Sequence, residues 1–284
     1  MNLNIIAACS DLGVHIDGSN FGPLKLKETL ENEEIILVEK KETVKEKEHT
    51  NKRKNFDSLN EFNERLYNKI LSINNFVLTI GGDHSITIAS ALASKKKHEN
   101  IGVIWIDSHS DFHTLDTTIS GNIHGMPFAT ICGQNKDSLS YFFNGKYFNP
   151  KNSVLVGARD IDDPEYINLK DAGVKFFTTN DIKEKGVKKI MEEAFKIAKE
   201  NTDGIHISYD LDVIDPTIAP GVSIKAKDGI NENEAFEILY EIIKEKKLIK
   251  SFDLVEFNPL YDTEDKTYNI AKKMLEIIIK NFQD

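Results

Sequence analysis

What most constrains the fold of this chain is a recurring unit: a short apolar run, a turn rich in Gly, Asp or His, then an amphipathic segment. Apolar runs fall at residues 3–8, 34–38, 76–80, 101–106, 153–156, 174–177, 204–208 and 251–255. Runs this short and this continuous read as strands buried on both faces. Between them lie helical spacings, with Leu59, Phe62, Leu66 and Ile70 over 57–73, and apolar stretches at 86–93 and 187–198. A shorter helix is expected at 24–30. Phe236, Leu239, Ile242 and Ile243 follow Asn231, a capping residue with Glu234 three positions on. Ile270, Met274, Leu275 and Ile278 mark a closing helix. Strands alternating with helices imply a parallel sheet covered by helices, an α/β fold. Both an open doubly wound sheet and a closed barrel satisfy this pattern, and both place ligands at the C-terminal strand ends. With no repeat, low-complexity tract or linker, residues 1–284 read as one domain.

The strand ends carry the chemistry. The run 101–106 leads into Asp107-Ser108-His109-Ser110-Asp111. In extended backbone, residues two apart share a face, so Asp107, His109 and Asp111 are expected to project together. The run 76–80 ends in Gly81-Gly82-Asp83-His84-Ser85, where paired glycines permit a tight turn. The lysine of a phosphate-binding loop is missing there. The run 204–208 leads to Asp210 and Asp212, again two apart. One Asp-x-Asp is more often structural than metal-binding; here such motifs stand at the ends of separate strands. Together His84, Asp107, His109, Asp111, Asp210 and Asp212 supply four carboxylates and two imidazoles. Four carboxylates in one cavity would repel and take up protons, whereas two divalent cations would neutralise them. An oxygen-rich donor set with nitrogen and no sulfur favours Mn²⁺ over Zn²⁺. Two metals roughly 3.5–4 Å apart lower the pKa of a bridging water towards about 7.

Composition narrows the partners. A formal charge of -10 argues against nucleic acid and suits a small cationic substrate. Cys9 and Cys132 lack metal or disulfide spacing and read as buried thiols of a reducing compartment. No signal peptide or membrane-length apolar stretch is evident, so a cytoplasmic protein is expected. The charged segment 39–55 has mixed signs and reads as a solvated loop.

Gly81-Gly82-Asp83-His84-Ser85, Asp107-Ser108-His109-Ser110-Asp111 and Ser208 to Pro216 resemble the three signature motifs of the manganese ureohydrolases: arginases, agmatinases and formiminoglutamases. The likeness extends from Gly22-Pro23 to Glu256-Phe257-Asn258-Pro259, with Ser108 where the family usually has Ala. It implies an open, mainly parallel eight-stranded α/β/α sandwich, two Mn²⁺ per chain, and the six residues above as ligands. It also implies hydroxide attack on a guanidinium carbon, oriented by Asp111, releasing urea and an amine. His124 matches the loop histidine that protonates the amine, and Glu256 the acid that pairs with the guanidinium. Trimers or hexamers are common in the family.

The loop Ser120-Gly121-Asn122-Ile123-His124-Gly125-Met126-Pro127 is closest to arginases, where it meets an amino-acid head group. Asp162 matches the arginase acid near the α-amine. His113 stands where arginases usually carry Asn, and Ile224 where a substrate-side Thr is usual. L-arginine hydrolysis therefore leads. Agmatine, another guanidino acid or formiminoglutamate follow, with His113, Ser120, Asn122, Asp162 and Glu256 as expected substrate contacts. A silent metal-binding scaffold would lack a ligand or His124, and none is missing. A dinuclear phosphatase would need basic residues, and Arg159 is the only obvious arginine in these motifs.

Overall fold

The computed structural model describes residues 3–30, 33–41 and 55–283. Most of the charged segment 39–55 therefore lies outside the described residues. Eight strands form: β1 (Leu3–Cys9), β2 (Ile35–Glu39), β3 (Phe76–Gly81), β4 (Ile101–Ile106), β5 (Ser153–Ala158), β6 (Lys175–Thr178), β7 (Gly204–Asp210) and β8 (Ile249–Val255). They make one open sheet in the order β2-β1-β3-β8-β7-β4-β5-β6, and every pairing is parallel. The two edges, β2 and β6, never meet, which settles sheet over barrel.

Each face of the sheet has its own apolar core because successive strand residues point to opposite sides. Ile104 and Ile106 join one core with the helices Val187–Ala198, Glu232–Lys244 and Lys266–Phe282. Val103 and Trp105 join the other with the helices Phe56–Leu71, Thr87–His98 and Pro127–Ile131. The sandwich is thus helix, sheet, helix, as its alternating sequence implies. Asn231 accepts the Glu234 N–H at 3.0 Å, completing the expected capping box.

Two helices, Asp163–Ala172 and Thr179–Lys185, were not expected, because their apolar periodicity is weak. Their caps carry the signal instead. Asp162 and Glu165 form one capping box and Thr178 and Asp181 another, each satisfying N–H groups at a helix start. Gly173 ends the first of these helices at φ 81°, a conformation that suits glycine.

The order of strands has a further property. β8 pairs with β3 on one side and β7 on the other. Without it, β2-β1-β3 and β7-β4-β5-β6 share no strand pairing.

Candidate metal centre

The turn after β3 presents His84. A side chain at Gly82 would place Cβ 1.8 Å from the Ser10 carbonyl oxygen, so glycine is required there. Asp83 then accepts the Ser85 N–H at 2.9 Å and the Gly13 N–H at 3.0 Å, fixing the turn. The His84 ring stacks on Trp105 at 4.2 Å, and Trp105 stacks on Phe128 at 4.9 Å. His84 Nε2 meets the Ser208 hydroxyl at 2.8 Å.

That leaves Nδ1 facing a group of carboxylates: Asp210 Oδ2 at 2.9 Å, Asp107 Oδ2 at 3.0 Å and Asp111 Oδ2 at 3.1 Å. One imidazole nitrogen carries at most one proton and cannot hydrogen-bond to three acids at once. Nδ1 and Asp111 Oδ2 are in fact buried without a hydrogen-bond partner. A buried nitrogen aimed between three carboxylate oxygens fits a divalent cation. Asp107 also serves a second group: its Oδ1 lies 3.6 Å from His109 Nδ1, which lies 2.8 Å from Asp212 Oδ2. His84, Asp107 and Asp111, and separately Asp107, His109 and Asp212, are close enough to hold an ion each, with Asp107 shared.

All six expected ligands therefore converge, though not by strand alternation alone. β4 stops at Ile106, and Asp111 returns to the cluster through left-handed backbone at φ 50°. Asp210 ends β7 and accepts the Asp212 N–H at 2.7 Å, so a tight turn, not pleating, directs Asp212. Arg159 holds that turn from behind, donating to the carbonyls of Asp212 at 2.7 Å and Val213 at 2.9 Å.

Electrostatics match this crowding. Burial, with the charge of Asp107 added, raises Asp111 to about 7. Burial and then the Asp212 and Asp107 charges push Asp210 well above the carboxylate range. Burial raises Asp107 too, but contacts with His109 and His84 outweigh it and hold this shared acid below the usual range. Burial lowers His84, yet its three carboxylate neighbours win and raise it well above 6.5. The cluster thus retains protons that a cation would displace.

Glu256 closes the other side. Its backbone is left-handed at φ 68°, and its N–H donates to the Gly82 carbonyl at 2.8 Å. Its Oε1 accepts the His84 N–H at 2.8 Å and lies 3.3 Å from His124 Nδ1, while Oε2 is buried with no partner. Burial lowers His124, but Glu256 more than offsets this and raises it above 6.5.

The expected substrate contacts divide. His113 Nε2 lies 3.0 Å from Asp162 Oδ2, so these two meet each other. Ser120 is exposed and accepts the Asn122 N–H at 3.2 Å, and Asn122 Nδ2 meets His15 Nδ1 at 2.7 Å. Several contributors escaped the sequence reading. Trp105 donates to Asp107 Oδ2 at 3.0 Å, Ser208 orients His84, and Glu165 Oε2 lies 3.9 Å from His113 Nε2. Ser108, at the position where the family usually has Ala, donates to Asp212 Oδ1 at 2.7 Å and meets His109 Nδ1 at 3.0 Å. The Asp162-x-x-Glu165 spacing would have flagged Glu165; Ser208 opens the third motif but carried no expected role, and nothing local marks Trp105.

Known proteins share both fold and sequence. The Arginase family model matches residues 1–279. An arginase of Bacillus subtilis is 34% identical over 97% of this chain and 88% of its own length. One of Staphylococcus aureus is 37% identical over 78% of this chain and 74% of its own. The crystal structure of Entamoeba histolytica arginase in complex with L-ornithine superposes with a TM-score of 0.89 at 29% identity, covering 98% of each chain. This chain belongs to the arginase family.

Proposed function

We propose that the chain is a dinuclear manganese hydrolase that converts L-arginine to L-ornithine and urea, and that residues 1–284 act as one domain. The observation that carries this reading is the buried His84 Nδ1 within 3.1 Å of three separate carboxylates. His84, Asp107, Asp111 and Asp210 would hold one Mn²⁺, and Asp107, His109, Asp210 and Asp212 the other. When bound, the cations supply charge neutralisation and a water acidic enough to be a nucleophile near neutrality.

The remaining roles belong to side chains. Asp111 Oδ2 accepts a hydrogen bond from the attacking water and fixes its direction. Glu256 Oε2, buried and without a partner, accepts the guanidinium N–H groups of the substrate. That holds the guanidinium carbon over the cluster. Water adds to that carbon as one of its protons passes to Asp111 and returns through solvent to recharge His124, and the bond to the alkyl-bearing nitrogen then breaks. The departing amine takes a proton from His124, whose raised pKa keeps it charged closer to neutral pH. Nδ1 of His124 faces Glu256, leaving Nε2 as the donor. Ser120 and Asn122 sit on the loop that carries His124, and we place the amino-acid head group there with His113 and Asp162.

Location and assembly complete the reading. Among the described residues no helix is long and apolar enough to cross a membrane. Both cysteines are unpaired, and burial pushes each thiol up to about 12, which suits a reducing cytoplasm. A trimer or hexamer is the expected assembly, to be checked by light scattering.

The test is urea release by manganese-loaded protein, with metal content measured alongside. L-Arginine should yield urea with two Mn²⁺ per chain, and chelation should abolish it. In His124→Ala, turnover should fall about 10²–10⁴-fold with manganese content unchanged. Absence of urea at full metal loading would sink the reading.

A further inference from the structure

Asp107 is common to both groups of the centre, so His109 and Asp212 are private to the second. They arrive on different strands, His109 after β4 and Asp212 after β7. The ladder between β4 and β7 ends at Ile106 and Tyr209, short of either residue. Their separation is therefore set by contacts beyond the sheet. In front, the Ser108 N–H and hydroxyl cross to Asp212 Oδ1 at 3.1 and 2.7 Å. Behind, one residue bridges the span: Arg159.

Arg159 lies just past the end of β5 and holds both segments. Its main-chain N–H donates to the Ser108 carbonyl at 2.8 Å, and the Asp160 N–H joins the same oxygen at 3.0 Å. His109 and Asp160 form an isolated bridge at that place. The Arg159 guanidinium donates to the carbonyls of Asp212 at 2.7 Å, Val213 at 2.9 Å, Ala226 at 3.0 Å and Lys227 at 3.0 Å. Each of these acceptors is a main-chain oxygen, so the rigid fork fixes backbone position and leaves the Asp212 carboxylate to its own contacts. Gly157 permits the approach: its φ is 100°, and a Cβ there would lie 2.4 Å from Val213 Cγ2. Residues 226–230 return beside the turn, since the Ile230 N–H donates to the Val213 carbonyl at 3.2 Å and the Asp215 N–H to the Ile230 carbonyl at 2.9 Å. His84 and Asp111 are placed by other means, the Ser208 hydroxyl and Trp105 ring for one and left-handed backbone for the other.

We infer that Arg159 is a positioning residue that sets the spacing of His109 and Asp212, and through it the affinity of the second Mn²⁺ position alone. The inference rests on the dinuclear assignment proposed above. A guanidinium has no lone pair to offer a metal, and its positive charge by itself repels a cation. The support that Arg159 gives must therefore come from the backbone it holds. Lysine at this position keeps the charge but replaces the fork with a single flexible point. The Asp212 turn is then free to drift from His109 while the His84 group stays in place.

The experiment titrates the chelator-stripped full chain with Mn²⁺ and follows binding by calorimetry and electron paramagnetic resonance. Wild type should bind two ions and give the spectrum of a coupled pair. In Arg159→Lys and Arg159→Gln, affinity for one ion should fall about 10–100-fold, the range for residues that support ligands. Affinity for the other should change less than about threefold, and the spectrum at partial loading should become that of an isolated ion. Adding His84→Ala to Arg159→Lys should then abolish the remaining tight site; its survival would show that the wrong position had been weakened. Wild-type affinity for both ions in Arg159→Lys would overturn the inference, because charge without the fork would suffice. Equal weakening of both ions would also overturn it, marking Arg159 as general scaffolding. Arg159→Lys is the milder change and decides the matter if the glutamine variant does not fold. Fewer than two ions in wild type would remove the dinuclear assignment and the inference together, whereas two ions bound tightly in every Arg159 variant would remove the inference alone.

Discussion

Below the candidate metal centre, on the same face of the sheet, His206 and Asp253 make a second buried group. The two clusters share more than residue type. In each, an imidazole nitrogen is buried without a hydrogen bond: His84 Nδ1 above and His206 Nε2 below. What differs is the company. His84 Nδ1 faces three carboxylates, whereas His206 Nε2 faces one, Asp253, at 3.4 Å. Around the lower pair are hydroxyls: Ser90 donates to Asp253, His206 Nδ1 meets Ser251 at 2.7 Å, and Ser251 donates to Ser94 at 2.6 Å. The lower group sets one acid against one imidazole, whereas the upper cluster sets four acids against two. An unpartnered buried nitrogen is therefore insufficient to mark an ion site; excess negative charge around it is what does so.

Four measurements test the contrast between the two clusters. The largest effect should come from Asp107→Asn, which removes the acid shared by both halves of the upper cluster. Mn²⁺ affinity should fall more than about a hundredfold, beyond the range for residues that only support ligands. Retained affinity would mean that Asp107 is dispensable and the convergence misleading.

Asp253→Ala should act on stability instead. Leaving the buried Ser90 hydroxyl and His206 ring without this acid should cost about 1–3 kcal/mol, read from the denaturant midpoint, with two Mn²⁺ still bound per folded chain. If manganese were lost while stability held, the lower cluster would belong to the metal site and the contrast would fail.

The third effect is a crossing with pH. Asp111 and Asp83 are raised to about 7 and about 6, in each case first by burial and then by a neighbouring acid. Groups raised in the fold bind protons more tightly there than in the unfolded chain. Their contribution to metal-free stability is complete below the ordinary carboxylate pKa and is lost as pH rises through about 6 to 7. Each should contribute a slope of about 1.4 kcal/mol per pH unit within its window. Manganese requires the deprotonated acids, so the loaded protein should gain stability over the same range. Melting curves with chelator and with Mn²⁺, from about pH 5 to about pH 8, test this; parallel curves would refute it.

The smallest effect belongs to Ser108→Ala. Loss of its hydroxyl contacts to Asp212 and His109 should cost about 1 kcal/mol and weaken manganese binding less than tenfold. A larger loss would show that the hydroxyl holds the second half of the centre together.

The upper cluster was legible in sequence because its residue types are unusual at strand ends and their order along the chain is compact. The Asp-x-His-x-Asp and Asp-x-Asp turns and the Gly-Gly-Asp-His turn announce themselves locally. Their convergence has different causes from those the spacing suggests, since Asp111 arrives through a positive φ and Asp212 through a capped turn. The lower cluster went unread because its members sit inside apolar strands and on the helix Thr87–His98, where Ser90 and Ser94 look like ordinary helix residues. A third pair was half legible. His113 and Asp162 were both named as substrate contacts, but only folding reveals that they meet each other.

The insertion of β8 between β3 and β7 bears on how the molecule comes into being. His84 belongs to the β2-β1-β3 half, and every other ligand belongs to the β7-β4-β5-β6 half. During synthesis both halves leave the ribosome before the strand that joins them. Until Ile249–Val255 has emerged, His84 has no strand-paired link to its carboxylates. Contacts of such long sequence separation form late and slowly. A nascent chain therefore lacks that link until its last strand emerges, and on the proposed reading metal capture would report that the strand is in place.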